Sequence, residues 1–173
     1  MKGKAYARRT AFFGVMLALA LVLSFVEHQL PSPGIPGIKL GLANVVALIL
    51  LYKTGLPGAL GVNVLRVVLA NLLFGSVASM VYGLCGGILA VLCMALLCRS
   101  GRMSPAGVSA AGGIVHNLAQ LLCAALVTGS TAVFAYFPAL LISGTLCGLL
   151  TGLCAAGALR ALPNSRNEVS KSK

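Results

Sequence analysis

Aspartate is absent from this 173-residue chain, and its only acids are Glu27 and Glu168. Chemistry that needs paired carboxylates, or a cage of carboxylate oxygens around a hard cation, is out of reach for this chain alone. No glycine-rich phosphate loop of the P-loop type occurs, and Ser109, Thr128 and Ser143 belong to no Ser-His-acid set. ATP hydrolysis or acyl transfer would have to come from another chain. Charge of either sign is scarce, at 9% of residues against roughly 25% in a soluble domain. The six cysteines (Cys85, Cys93, Cys98, Cys123, Cys147 and Cys154) form no CxxC and have no histidine at ligand spacing. They read as small reduced hydrophobes, and neither a metal site nor a cofactor is expected. The net charge of +11 comes without a basic stripe interleaved with aromatics, so nucleic acid is not an expected partner.

What the chain has in abundance is apolar length. Hydrophobic residues make up 59% of it, and mean hydropathy is +1.01. Six runs, at 10–26, 39–52, 56–73, 77–98, 105–127 and 133–159, predict six transmembrane helices in one all-α bundle surrounded by membrane lipid. The first run exceeds the ~7–15-residue apolar region of a signal peptide, and EHQLPSPG follows it without a small-x-small cleavage pattern, so it is predicted to be retained. Pro57 and Pro105 fall in the first turns of their helices, where the missing N–H costs nothing. The layout is a basic N-terminus at 1–9, a membrane domain at 10–159 and a basic tail at 160–173. With both termini cytoplasmic, eleven of the thirteen positive residues lie inside, Lys39 lies outside and Arg66 lies within a span. This positive-inside pattern predicts a multi-pass protein of the plasma membrane.

Residues 27–38, EHQLPSPGIPGI, hold three prolines and two glycines and predict an extended external loop. It is either a lid over a binding site, carrying Glu27 and His28 with Lys39 at its far end, or a plain connector. Lys39 either snorkels to the interface or meets an incoming anion. Gly144, Gly148, Gly152 and Ala156 make one bare face along the last helix, and Gly83 with Gly87, and Gly86 with Ala90, do the same in the fourth. Gly14 and Ala18 form a similar pair in the first helix, serving either the internal bundle or a partner subunit.

Against this apolar background a few polar residues stand out. His116 and Gln120 are four apart and share a helix face, with Asn117 beside them. Arg66 lies nine residues after Pro57, roughly 14 Å along its helix at 1.5 Å per residue, near the bilayer centre. Asn63 is one turn before it, Asn71 lies further along, and Asn44 sits early in the second helix. An arginine there costs at least about 2.5–3.5 kcal/mol unless compensated. Either it faces a water-filled cavity and receives an anionic ligand group through bidentate bonds, or it pairs with Glu27 or caps buried carbonyls. His116 is either a titrating group or, more simply, a neutral hydrogen-bonding one. Tyr136 suits an interfacial belt, with ligand contact as the alternative. The candidate substrate-binding set is Asn44, Asn63, Arg66, His116, Asn117 and Gln120; no catalytic residue is nominated.

The segments PGIKLGLAN (36–44), LRVVLANLLFG (65–75), GVSAAGGIVHNLAQLLCAAL (107–126) and FPALLISGTLCGLLTG (137–152) resemble the Gx transporter family, also described as heptaprenyl diphosphate synthase component I. The resemblance covers about residues 10–155. It implies similarity to the substrate-binding S components of energy-coupling factor (ECF) importers: six-helix subunits that capture a vitamin or related micronutrient and pair with a membrane scaffold and two cytoplasmic ATPases. In that group the first helix carries an Ala-x-x-x-Ala docking motif, to which Gly14-x-x-x-Ala18 is the nearest match, and the loop after the first helix acts as the gate, a position that 27–38 fills. A catalytic prenyl diphosphate synthase would hold magnesium diphosphate with aspartate clusters, which this chain lacks.

The expectation is thus a non-enzymatic, substrate-binding membrane subunit of an uptake transporter for a small polar or anionic solute. The alternatives are a membrane accessory of heptaprenyl diphosphate synthesis, for quinone side chains, and a structural subunit of a membrane complex.

Overall fold

A computed structural model of the protein describes residues 2–29 and 41–161. Its elements are α1 (Lys2–Gln29), α2 (Asn44–Thr54), α3 (Leu56–Phe74), α4 (Val77–Ser100), α5 (Pro105–Thr128), a 3₁₀ turn over Thr131–Tyr136, and α6 (Phe137–Ala161). The six-helix membrane bundle is observed. Five segments, α1, α3, α4, α5 and the 3₁₀ turn with α6, are long and apolar enough to cross a bilayer.

Local chemistry sets the boundaries. α1 starts eight residues before the apolar run because KGKAYARR is rich in good helix formers, and it stops two residues ahead of Pro31. Glu27 and His28 are therefore helical rather than part of the loop expected at 27–38; the remainder of that segment and Lys39 lie outside the described residues. Gly55, at φ 80°, separates α2 from α3 with a single residue, and Pro57 occupies the first turn of α3. Ser76 and Ser104 cap α4 and α5 by accepting from the N–H groups of Ser79 and Gly107 at 3.2 Å each. Gly101 and Gly129 end the same two helices in the left-handed conformation.

The second helix differs most from its expectation. It begins at Asn44 rather than Lys39, behind a turn at 41–43 opened by Gly41 at φ 71°. Its 11 residues rise only about 16 Å, well short of a ~30 Å hydrocarbon core. Instead it is the hub: Val46 through Leu51 are buried, and among the described residues α2 touches each of the other five α-helices. The outer helices follow around it in the order α1, α3, α4, α5, α6 by neighbour packing. Most of their remaining apolar surface faces outward, as lipid contact requires: Leu72, Leu73, Leu96, Leu126 and Leu150 are all more than 60% exposed.

Glycine rows bring these helices together. A Cβ on Gly148 would meet backbone atoms of Ser109 and Ala110 at 2.7 Å, and one on Gly152 would meet Ala106 Cα at 2.6 Å. Gly144 and Gly113 face one another backbone to backbone in the same seam, so the row expected on α6 is the α5–α6 contact. On α4, Gly83 and Gly87 face α3, while Gly86 faces α5. The fourth pair behaves differently: Gly14 and Ala18 are exposed, and nothing lies within 4 Å of a Cβ built on Gly14. Among the described residues, that face of α1 takes no part in packing the bundle.

Candidate functional site

The polar residues singled out by spacing fall into three groups, the first two beside the start of α2. Toward α5 and α6, Asn44, His116, Asn117 and Cys147 line a cavity whose remaining wall is the backbone of Gly41, Gly113, Gly144 and Gly148, with Thr151 at its far end. Its volume is about 20 Å³, room for roughly one water. Toward α1 and α3, Asn63 and Arg66 line a cleft with Ala20, Ala43, Val46, Ala47 and Val62. Against α4, Asn63 and Gln120 pack over the neighbouring glycines Gly87 and Gly86, with His116 beside Gln120.

Arg66 is held within its own helix. Its guanidinium donates to Asn63 Oδ1 at 2.7 Å, the one-turn spacing that sequence reading picked out. The Asn63 side-chain nitrogen has no hydrogen-bond partner among the described residues although the residue is only 3% exposed, and the same holds for Gln120 Oε1, with Gln120 7% exposed. A buried amide half without a partner costs on the order of 1–3 kcal/mol. Asn63 thus keeps a spare donor beside a guanidinium that itself has more donors than Asn63 can use, and Gln120 keeps a spare acceptor on α5.

Glu27 completes the arrangement from α1. Its carboxylate accepts the Gly41 N–H just ahead of α2, and its charge acts on both Arg66 and Cys147. The site of a helix start favours that negative charge. His28, by contrast, turns away from the site, and its ring lies 5.7 Å from that of Phe74, which also packs edge-on against Phe25 at 5.6 Å.

Other polar residues are occupied elsewhere. Asn117 donates to the Leu140 carbonyl at 2.8 Å and to Ser143 Oγ at 3.4 Å, tying α5 to α6 while still lining the cavity. Asn71 donates to Val67 O at 2.8 Å within α3. Tyr136 is 39% exposed at the end of the 3₁₀ turn. Sequence reading missed the cavity's Cys147 and Thr151, and the buried Ser109–Thr151 hydroxyl pair at 3.1 Å. Thr151, four residues from Cys147 and one from Gly152, carried a usable signal, because it follows the glycine face that had already been recognised.

No curated protein and no solved structure matches the chain. Residues 16–158 match the family model for heptaprenyl diphosphate synthase component I, and with that span covered from the first helix to the last, the chain belongs to this family.

Proposed function

We propose that this protein is the solute-binding membrane subunit of an uptake system, capturing a small polar or anionic molecule at the start of α2. One observation carries this reading: a buried amide atom lacks a partner among the described residues on Asn63, which holds Arg66, and on Gln120, which packs on the neighbouring glycine of α4. Such unused capacity in hydrocarbon is expensive and is relieved when a ligand supplies the missing donor and acceptor. Arg66 takes an anionic group, Asn63 and Gln120 orient it, and Asn44 and His116 extend the wall. The cavity, with room for about one water, has to widen to admit a solute.

Energy comes from partners in this reading: a scaffold subunit in the membrane and two cytoplasmic ATPases. The outward Gly14–Ala18 face of α1 supports a docking role for that pair, because the bundle does not use it. The charge distribution supports cytoplasmic termini in the plasma membrane.

The family description favours a second reading, a non-catalytic membrane accessory of heptaprenyl diphosphate synthesis, in which Arg66 receives a diphosphate. One experiment separates the two. The tagged chain is purified from native membranes in mild detergent, and its companions and retained small molecules are identified by mass spectrometry. Two ATPases with a membrane scaffold support uptake. A soluble prenyl synthase, or prenyl diphosphate retained alone, overturns it in favour of the accessory.

A further inference from the structure

Directly beside the unsatisfied amides lies a feature that solute binding does not use. Cys85 on α4 and Cys123 on α5 are in contact, with Sγ–Sγ 3.4 Å and the Cys123 thiol donating to Cys85. Both are partly buried and neither is in a disulfide. Their position relative to the site is set by the helices. Cys85 precedes Gly86, whose bare Cα packs on Gln120 and on the backbone and ring of His116. Cys123 follows Gln120 by three residues, less than one turn. The close approach that Gly86 permits is what brings the two sulfurs together.

We infer that Cys85 and Cys123 form a reversible disulfide that staples the α4–α5 seam one turn from Gln120 and, because Gly86 of α4 packs on the cavity-lining His116, holds that wall of the cavity closed. The chemistry balances with a hydroperoxide as oxidant, a small neutral molecule that enters a bilayer. One thiol attacks the peroxide oxygen, forming a sulfenic acid and releasing water in the case of hydrogen peroxide. The second thiol attacks the sulfenic sulfur, forming the S–S bond and releasing a second water. Two thiols are oxidised and one peroxide is reduced. Geometry favours intramolecular closure: a disulfide needs Sγ–Sγ near 2.05 Å, so side-chain rotation has to supply only about 1.4 Å. A dithiol reductant reverses the bond by exchange. The opposing reading is that the pair is merely two small apolar residues filling a helix seam. The two readings differ in what oxidation does.

The control over the cavity rests on the solute-binding proposal, because only a site that opens can be locked. The cross-link itself does not. Cys147 reports opening without any knowledge of the solute, since it lines the cavity. The test uses the full chain in lipid nanodiscs, treated with hydrogen peroxide or left reduced, then exposed to N-ethylmaleimide and followed by peptide mass spectrometry.

The expected result is a linked Cys85–Cys123 pair lacking two hydrogens, abolished in C85S and C123S and reversed by dithiothreitol. Maleimide labelling of Cys147 is expected to slow at least fivefold in the oxidised parent, while in peroxide-treated C85S it keeps the rate of the reduced parent. Exposed Cys154 labels equally in every sample and serves as the internal reference. Labelling of Cys85 and Cys123 after peroxide to the same extent as before would overturn the inference and leave the solute-binding proposal standing. A cross-link that forms without slowing Cys147 would overturn the lock. A Cys147 that never labels, even when reduced, would remove the opening cavity, and with it the solute-binding proposal and the lock, while a cross-link found in the same sample would stand.

Discussion

Two seams meet at α5, and both are lined with glycine and polar side chains. In the α5–α6 seam the polar groups satisfy one another: Asn117 reaches across to Leu140 O and Ser143, and Ser109 pairs with Thr151. In the seam of α4 with α3 and α5 they do not, since Asn63 and Gln120 each keep a buried amide atom without a partner among the described residues. Polarity inside a membrane is therefore not by itself a site. Leftover hydrogen-bonding capacity is the better mark, because it is costly in the empty protein and is recovered only when something binds.

The glycines give the largest contrast. Gly148→Ala forces a methyl group against the backbone of Ser109 and Ala110, which cannot give without parting two helices, and is expected to cost 3 kcal/mol or more, about the upper end for overpacking. Gly87→Ala meets only the Asn63 side chain, whose nitrogen would lie 2.6 Å away and can rotate. It is expected to cost under about 1 kcal/mol in stability. Thermal unfolding of both variants in the same detergent checks this; equal losses would erase the distinction between the seams.

Arg66 should divide stability from binding. Arg66→Met removes a charge whose transfer out of water is unfavourable, so unfolding temperature is expected to hold or rise. Affinity for the solute that co-purifies with the chain is expected to fall about 10- to 150-fold, corresponding to about 1.5–3 kcal/mol for hydrogen bonds to a charged group. Calorimetric titration measures the second. A variant that loses stability and keeps its affinity makes Arg66 a structural residue.

Much of this was legible before any coordinates. Hydrophobic runs marked the helices, proline and glycine marked most of their ends, and one-turn spacing tied Asn63 to Arg66, as their bond confirms. What sequence could not supply was which face meets which helix. The run at 39–52 was already short for a span, but that α2 is the enclosed hub is a property of the ring around it rather than of its own residues. The Gly14–Ala18 pair has the same spacing as the α6 glycines but points outward, because spacing defines a stripe and not its partner. Asn117 and Gln120 stood together as equals; only the position of Leu140 on another helix separates them.

That separation can be sharpened directly. Asn117→Ala is expected to cost about 1 kcal/mol of stability, since Leu140 O keeps its bond from Ser143, and to change solute affinity by less than about threefold. Gln120→Leu removes an acceptor that no described residue satisfies, so stability is expected to hold or rise by up to about 1 kcal/mol while affinity drops about tenfold. Opposite rankings in the two assays would exchange the roles assigned to the seams.

The smallest effect, and the one that tests the mouth of the site, concerns Glu27. Its carboxylate accepts the Gly41 N–H and places a negative charge near Arg66, where an anionic solute would have to displace or neighbour it. Glu27→Gln keeps the acceptor oxygen for Gly41 and removes only the charge, so α2 should start at the same residue. If the solute group at Arg66 is an anion, losing a like charge from the mouth is expected to tighten binding by about three- to tenfold, with the gain shrinking as salt is raised if the mouth is open to solvent. If the solute instead presents a cation to Glu27, the same substitution weakens binding. Titration of parent and variant at two salt concentrations gives the sign of the change in Kd, and the sign identifies which charged end of the solute faces the start of α2.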